Sequence, residues 1–231
     1  MENARWYSLK NIVFMIAVIL VASLIASFFI TQFEVLKKSS SSFFIYALAD
    51  VLKSVMHTAK WAVLMLAGAS VYRTGALSFK EMCSLFKRYW LIIALLFTVS
   101  AFYEILINFI TYLKIKDIFS FNLGFTTAGT TIVFAVLETL LVLLFFIAVK
   151  MNGKVSEALS DLFRANKALA VLFVVLFVLA QFTYPSHFFS NAFILENHKF
   201  YNVLVSVWRI AYPLFAYYAL PMLLIGKLKR Q

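Results

Sequence analysis

Five ionisable residues sit in or beside stretches that are otherwise apolar enough to cross a bilayer: His57, Lys60, Glu104, Glu138 and Arg209. Glu138 lies near the middle of the run Thr127–Val149. A charged side chain at that depth costs about 3 kcal/mol on insertion scales. The chain must therefore supply a partner, a proton or a watery cavity. Two acids and two bases balance, so Glu138 and Glu104 are expected to face Lys60 and Arg209 in one bundle, with His57 at its mouth. Such a cluster has two readings. Ion pairs can hold helices in register, or the groups can line a path for a solute, a proton or a substrate.

The elements that must position them are helices in lipid. Of 231 residues, 64% are hydrophobic and 13% charged, with 26 Phe, six Gly and three Pro. A soluble domain is nearer half apolar and a quarter charged. Strand-like alternation is absent, which excludes a membrane β-barrel. The expected fold is an all-α integral membrane protein in a single domain, with about six transmembrane helices and two short cytoplasmic amphipathic helices. The spans are expected at residues 12–33, 55–72, 89–111, 127–149, 168–184 and 203–225. The first is too long for a signal-peptide core and is read as a retained span.

Between the first two spans, Asp50, Lys53, His57 and Lys60 recur at helical spacing on one face. They suit either an interfacial helix with its polar face in water or a polar stripe lining a cavity. The patch Ala67-Gly68-Ala69-Ser70 favours close helix contact. Ser78 and Glu81 have the spacing of a capping box, followed by Phe79, Met82, Cys83 and Phe86 on one face. Val155, Leu159, Leu162 and Phe163 form a similar stripe. Gly75-Ala-Leu-Ser78 matches Gly153-Lys-Val-Ser156, pointing to an internal repeat of 55–111 in 127–184. That register sets Lys60 opposite Glu138. Pro213 and Pro221 predict a kink in the last span.

With six spans, thirteen Lys and Arg fall on the side of the termini and five on the other. The positive-inside rule then places both termini in the cytoplasm, of a bacterial inner membrane. Arg73, Lys80, Lys87, Arg88, Lys150, Lys154, Arg164 and Lys167 are the expected contacts for anionic lipid headgroups or for a membrane or cytoplasmic protein partner. The net charge of +11 follows from this topology, and no nucleic-acid partner is implied. The Trp residues sit near span ends, as in an aromatic belt.

Chemistry-bearing motifs are missing: no phosphate loop, dinucleotide fingerprint or nucleophile elbow. The single Cys83 and three scattered His give no metal set. No cofactor is implied and the chain is not read as an enzyme.

The segments RTGALSFKEMCSLFKRYWLIIALLF and NLGFTTAGTTIVFAVLETLLVLLFFIAVKMNGKVSEALSDL resemble the Yip family of Ypt-interacting-protein-like membrane proteins, over about residues 73–162. The shared arrangement is a span, a basic Gly/Ser turn and an amphipathic piece before the next span. The chain departs from the family in span number, six against the usual five, and lacks the proline that often opens the following span. The resemblance implies a non-enzymatic membrane adaptor and carries no site residues. The expected function is a scaffold or adaptor binding lipid or protein at the cytoplasmic face. The alternatives are a small transporter or channel using the intramembrane charges, and a membrane-embedded lipid-modifying enzyme.

Overall fold

A computed structural model describes residues 8–39, 42–115, 123–153, 155–164, 167–181, 185, 189 and 191–227. The helices are α1 (Leu9–Ser39), α2 (Phe43–Thr74), α3 (Phe79–Ile115), α4 (Leu123–Met151), α5 (Val155–Arg164), α6 (Lys167–Gln181), α7 (Asn191–Glu196), α8 (His198–Leu214) and α9 (Leu220–Lys227), with a π turn at Phe215–Ala219. No strand occurs among the described residues. Among the described residues, four helical stretches are long and apolar enough to cross a membrane: Leu9–Ser39, Phe79–Leu113, Gly129–Met151 and His198–Leu223. Residues 182–184, 186–188 and 190 before α7 lie outside the described residues, as do Lys116, Asp117 and the end of the C-terminal tail.

Helix α2 does not divide into an interfacial piece and a span. Its 32 residues form one helix about 48 Å long, packed between α1 and α3. Asp50 and Lys53 point to α1: Lys37 lies 2.8 Å from Asp50, and Lys53 2.5 Å from Glu34. These pairs close the α1–α2 hairpin beyond the apolar stretches, where two charges can share a hydrogen bond without deep desolvation. At the other end Gly75, at φ 76°, caps α2 through its N–H to the Val71 carbonyl. The buried Asn11 of α1 donates to the Gly75 carbonyl at 3.1 Å.

The small patch works as a contact surface. A Cβ on Gly68 would stand 3.1 Å from Tyr218 Cδ2 and 3.4 Å from Met222 Cε. The core of the bundle is the C-terminal half of α4, where every residue from Val142 to Val149 is buried. A helix apolar on all sides is stable only if other helices or lipid surround it. Here it is packed by α3, α5, α6 and α9.

The capping box forms only in part. Ser78 Oγ accepts the Glu81 N–H at 3.3 Å, but the Glu81 carboxylate turns to Arg73 at 2.9 Å. The Ser78 N–H goes instead to the buried Ser70 Oγ at 3.0 Å. The amphipathic piece is not a separate helix. It is continuous with α3 through a kink at Tyr89 (φ −115°, ψ 23°), whose hydroxyl donates to the Ala148 carbonyl at 2.8 Å. Its apolar residues divide between two faces about 90° apart at helical spacing. Leu85 and Tyr89, with Met82 half-buried, face the core, whereas Phe79, Cys83, Phe86 and Trp90 face outward.

Tyr89 also supports the second turn. The neighbouring Arg88 donates to Asn152 Oδ1 at 2.5 Å and to the Asn152 carbonyl. Arg88 of α3 thus holds the turn after α4, and the turns after α2 and α4 each contain a positive-φ residue, Gly75 and Asn152. In α5, Ala158 is buried and Val155 half-buried. The side chains of Leu159, Leu162 and Phe163 lie outside the described residues.

A π turn lies between the two prolines. Pro221 has no N–H for the Tyr217 carbonyl, and the Leu220 N–H bonds back five residues to the Phe215 carbonyl. Widening the helix by one residue is the usual way to absorb such a lost bond. It turns Tyr217 and Tyr218 into the core, both buried.

Candidate functional site

Glu138 stands where the close-packed half of α4 gives way to a polar half. One turn or more toward Leu123, α2, α3 and α4 separate around a cavity of about 160 Å³ lined by Thr58, Leu96, Val99, Ser100, Tyr103, Thr131, Phe134, Ala135 and Glu138. That volume holds roughly five waters at about 30 Å³ each. Between Glu138 and the Met151 end, the buried Val142–Val149 segment fills the bundle.

Hydroxyl groups make the polar wall. Ser100 Oγ of α3 lies 2.6 Å from Ser54 Oγ and 2.7 Å from Thr58 Oγ1, both on α2. Thr58 Oγ1 also lies 3.0 Å from the Ser54 carbonyl. Across the cavity, Tyr103 of α3 and Thr131 of α4 are joined at 3.0 Å. Ser and Thr in an apolar helix usually return their proton to the carbonyl four residues back; here they also connect helices.

Glu138 accepts a hydrogen bond from the Tyr217 hydroxyl. Tyr217 is held by its neighbours: it stacks on Trp61, 4.9 Å between centroids and 4° between planes, and Phe177 meets it edge-on at 5.4 Å. Lys60 Nζ in turn sits 3.9 Å from the centroid of the Trp61 ring. A line of contacts thus runs from the cavity through Glu138, Tyr217 and Trp61 to Lys60.

The five expected cluster residues are therefore distributed over three places. Glu138 meets a tyrosine. Glu104, half-buried on α3, is within electrostatic reach of the Lys37–Asp50 and Lys53 pairs at the hairpin end. Lys60, half-buried on α2, is within electrostatic reach of the exposed His57 of α2 and the exposed Arg209 of α8. No ion pair among the described residues joins Lys60 or Arg209 to Glu104 or Glu138. Charge balance predicts the numbers of acids and bases but not which helix faces meet. Lys60 and Glu138, aligned by the internal repeat, are connected only through Trp61 and Tyr217.

Of the expected surface contacts, Lys80, Lys87 and Lys167 are exposed and Lys150 is half-buried. Arg73 and Arg88 are engaged with Glu81 and Asn152. Lys154 and the side chain of Arg164 lie outside the described residues. Tyr217 and the hydroxyls of Ser54, Thr58, Ser100, Tyr103 and Thr131 have no motif to mark them. The available signal is Tyr217-Tyr218 between two prolines, since a widened turn so often marks a functional position.

Comparison with protein-family models, with curated proteins and with solved structures yields no match. The likeness to the Yip family accordingly rests on the two sequence segments alone.

Proposed function

We propose that the protein crosses the membrane six times, with both termini cytoplasmic, and that it binds and passes a small cationic or protonated polar solute at Glu138. The observation that carries this reading is the cavity at Glu138. Its polar lining consists of hydroxyls and one carboxylate, with no basic side chain. Oxygen ligands of that kind suit a monovalent cation or an amine and disfavour an anion. Intramembrane carboxylates at a watery cavity mark ion and proton pathways. With the proposed topology the cavity belongs to the outer half of the bundle. The apolar plug at Val142–Val149 then separates it from the cytoplasm, as expected of one state of an alternating-access cycle.

The test uses purified protein in liposomes containing a pH-sensitive dye, challenged in turn with gradients of Na⁺, K⁺ and methylammonium. Wild-type protein is expected to give saturable flux or proton exchange with at least one of them, and Glu138→Gln to lose it while keeping its elution volume and helix content. Silence of the wild type toward all three, or unchanged flux in Glu138→Gln, would remove the solute reading.

A second reading, the scaffold or adaptor, is supported by a different observation. The outward stripe of the first part of α3 leaves Phe79 79%, Phe86 49% and Trp90 58% exposed, beside Lys80 and Lys87. An apolar stripe bordered by lysines is the pattern of a helix seated in an anionic membrane surface.

A further inference from the structure

The cavity at Glu138 is a slot along the helix axes. On α4 its lining runs from Thr131 to Glu138 and on α3 from Leu96 to Tyr103, about 10 Å in each case. The two helices are antiparallel, since Tyr103 meets Thr131 and Tyr89 meets Ala148. The joined hydroxyls of Tyr103 and Thr131 therefore mark one end of the slot, and Glu138 with Leu96 the other. Glu138 is the charged group of the lining. Its Oε1 accepts from Tyr217, and among the described residues its Oε2 has no hydrogen-bond partner.

A bare alkali ion is poorly served by this layout, because it needs several oxygens converging on one point to replace its water. Here the oxygens are spread out. Tyr103 and Thr131 stand about 10 Å from Glu138 along the helices, and Thr58 and Ser100 are already 2.7 Å from each other. Between the ends the wall is apolar, made by Val99, Phe134 and Ala135. Phe134 and Ala135 precede Glu138 by about one turn and share its face of α4. The Phe134 ring packs against that of Tyr103 at 5.3 Å. One carboxylate at the end of a carbon-lined slot suits a cation that carries its own apolar body. A cavity of about 150 Å³ accepts a benzene-sized molecule, so the volume of about 160 Å³ takes a chain of about six heavy atoms.

We propose that the solute is a primary alkylammonium ion with a body of about four or five carbons, its ammonium on Glu138 and its chain against Phe134 and Ala135; this rests on the reading of Glu138 as a solute site. Such an amine is protonated at neutral pH, as the lysine side chain is. Its three N–H donors are shared between the carboxylate and the hydroxyl wall. With no basic side chain in the lining, a phosphate or carboxylate on the same molecule would find no partner, which sets lipid headgroups and amino acids outside the class.

The experiment is calorimetric titration of the full chain in phosphatidylcholine nanodiscs, with the heat of empty discs subtracted. The probes are methyl-, propyl-, pentyl- and octylammonium chloride, NaCl, KCl and 1-pentanol. Affinity should rise about fourfold per methylene up to pentylammonium and fall at octylammonium, which outgrows the slot. Pentanol should bind about tenfold more weakly than pentylammonium, the size expected for one charge-assisted bond, and Glu138→Gln should bring the two to parity. Ala135→Leu, which shortens the space, should move the optimum to propylammonium or below, and Phe134→Ala, which enlarges it, toward octylammonium. Binding of Na⁺ or K⁺ as tight as that of pentylammonium and lost in Glu138→Gln would overturn the proposal while keeping the solute site. Glu138-dependent binding with no dependence on chain length would do the same, as would an unmoved optimum in either folded cavity variant. Pentanol bound as tightly as pentylammonium by the wild type would show that the charge is not read, and also overturn it. Absence of Glu138-dependent binding for every probe would remove the solute reading itself, and this proposal with it.

Discussion

Removing one oxygen from Tyr217 isolates the contact on which the candidate site depends. In Tyr217→Phe the ring keeps its stacking on Trp61 and its edge contact with Phe177, so packing is retained while the hydroxyl's donation to Glu138 and its contact with Tyr212 are lost. A hydrogen bond to a charged or buried carboxyl contributes about 1.5–3 kcal/mol. The variant should therefore be destabilised by about 2 kcal/mol. Glu138→Gln keeps an acceptor facing the hydroxyl and should lose less, about 1 kcal/mol. The double variant has no bond left to lose twice, so a cycle should return a coupling of about 1 kcal/mol or more, within the range for residues in direct contact. Lys60→Met combined with Glu138→Gln is the matched control, because no ion pair joins them and their effects should add within about 0.5 kcal/mol. Reversible unfolding in mixed micelles, followed by helix content and Trp fluorescence, measures all of these. Additivity of Tyr217→Phe with Glu138→Gln, together with strong coupling of Lys60 to Glu138, would refute the assignment of partners made here.

Three further outcomes follow from the packing. Gly68→Leu must displace Tyr218 and Met222 from contact distances of 3.1 and 3.4 Å, and should cost about 1–3 kcal/mol as overpacking; melting in nanodiscs reads this, and an unchanged midpoint would mean that α2 and the π turn are not in close contact. Ser70→Ala leaves the Ser78 N–H without its acceptor and should cost about 1–2 kcal/mol, with the first turn of α3 exchanging amide hydrogen faster, whereas protection equal to wild type would contradict the cap described. Asp50→Asn weakens the half-buried pair with Lys37; its cost should be at most about 1 kcal/mol and should shrink at high salt, and a larger, salt-insensitive loss would mean that the hairpin end lies in lipid.

Local composition carries some features of this molecule without any help from tertiary structure. Apolar runs of twenty or more residues must be helices in lipid or in a core, because unpaired backbone groups are too costly there, and four such helices are present among the described residues. The third apolar run begins at Tyr89, and α3 bends at that residue. The patch around Gly68 signalled close approach because a missing Cβ has the same meaning in any context. The proline pair marked a disturbance in the last helix, although lost hydrogen bonds can be absorbed by a bend or by widening, and only packing selected the π turn.

Partner choice was settled by tertiary structure. Glu138 and Tyr217 are 79 positions apart, and their meeting depends on how α4 and the π turn rotate about their axes. A sum of charges is blind to that rotation, which is why balanced acids and bases suggested one cluster where the fold distributes them over three places. The cavity is not legible in the sequence for a related reason. Hydroxyls such as Ser54, Thr58 and Ser100 are common in apolar helices and individually mean little; they become a polar wall only when helix packing turns them toward the same space.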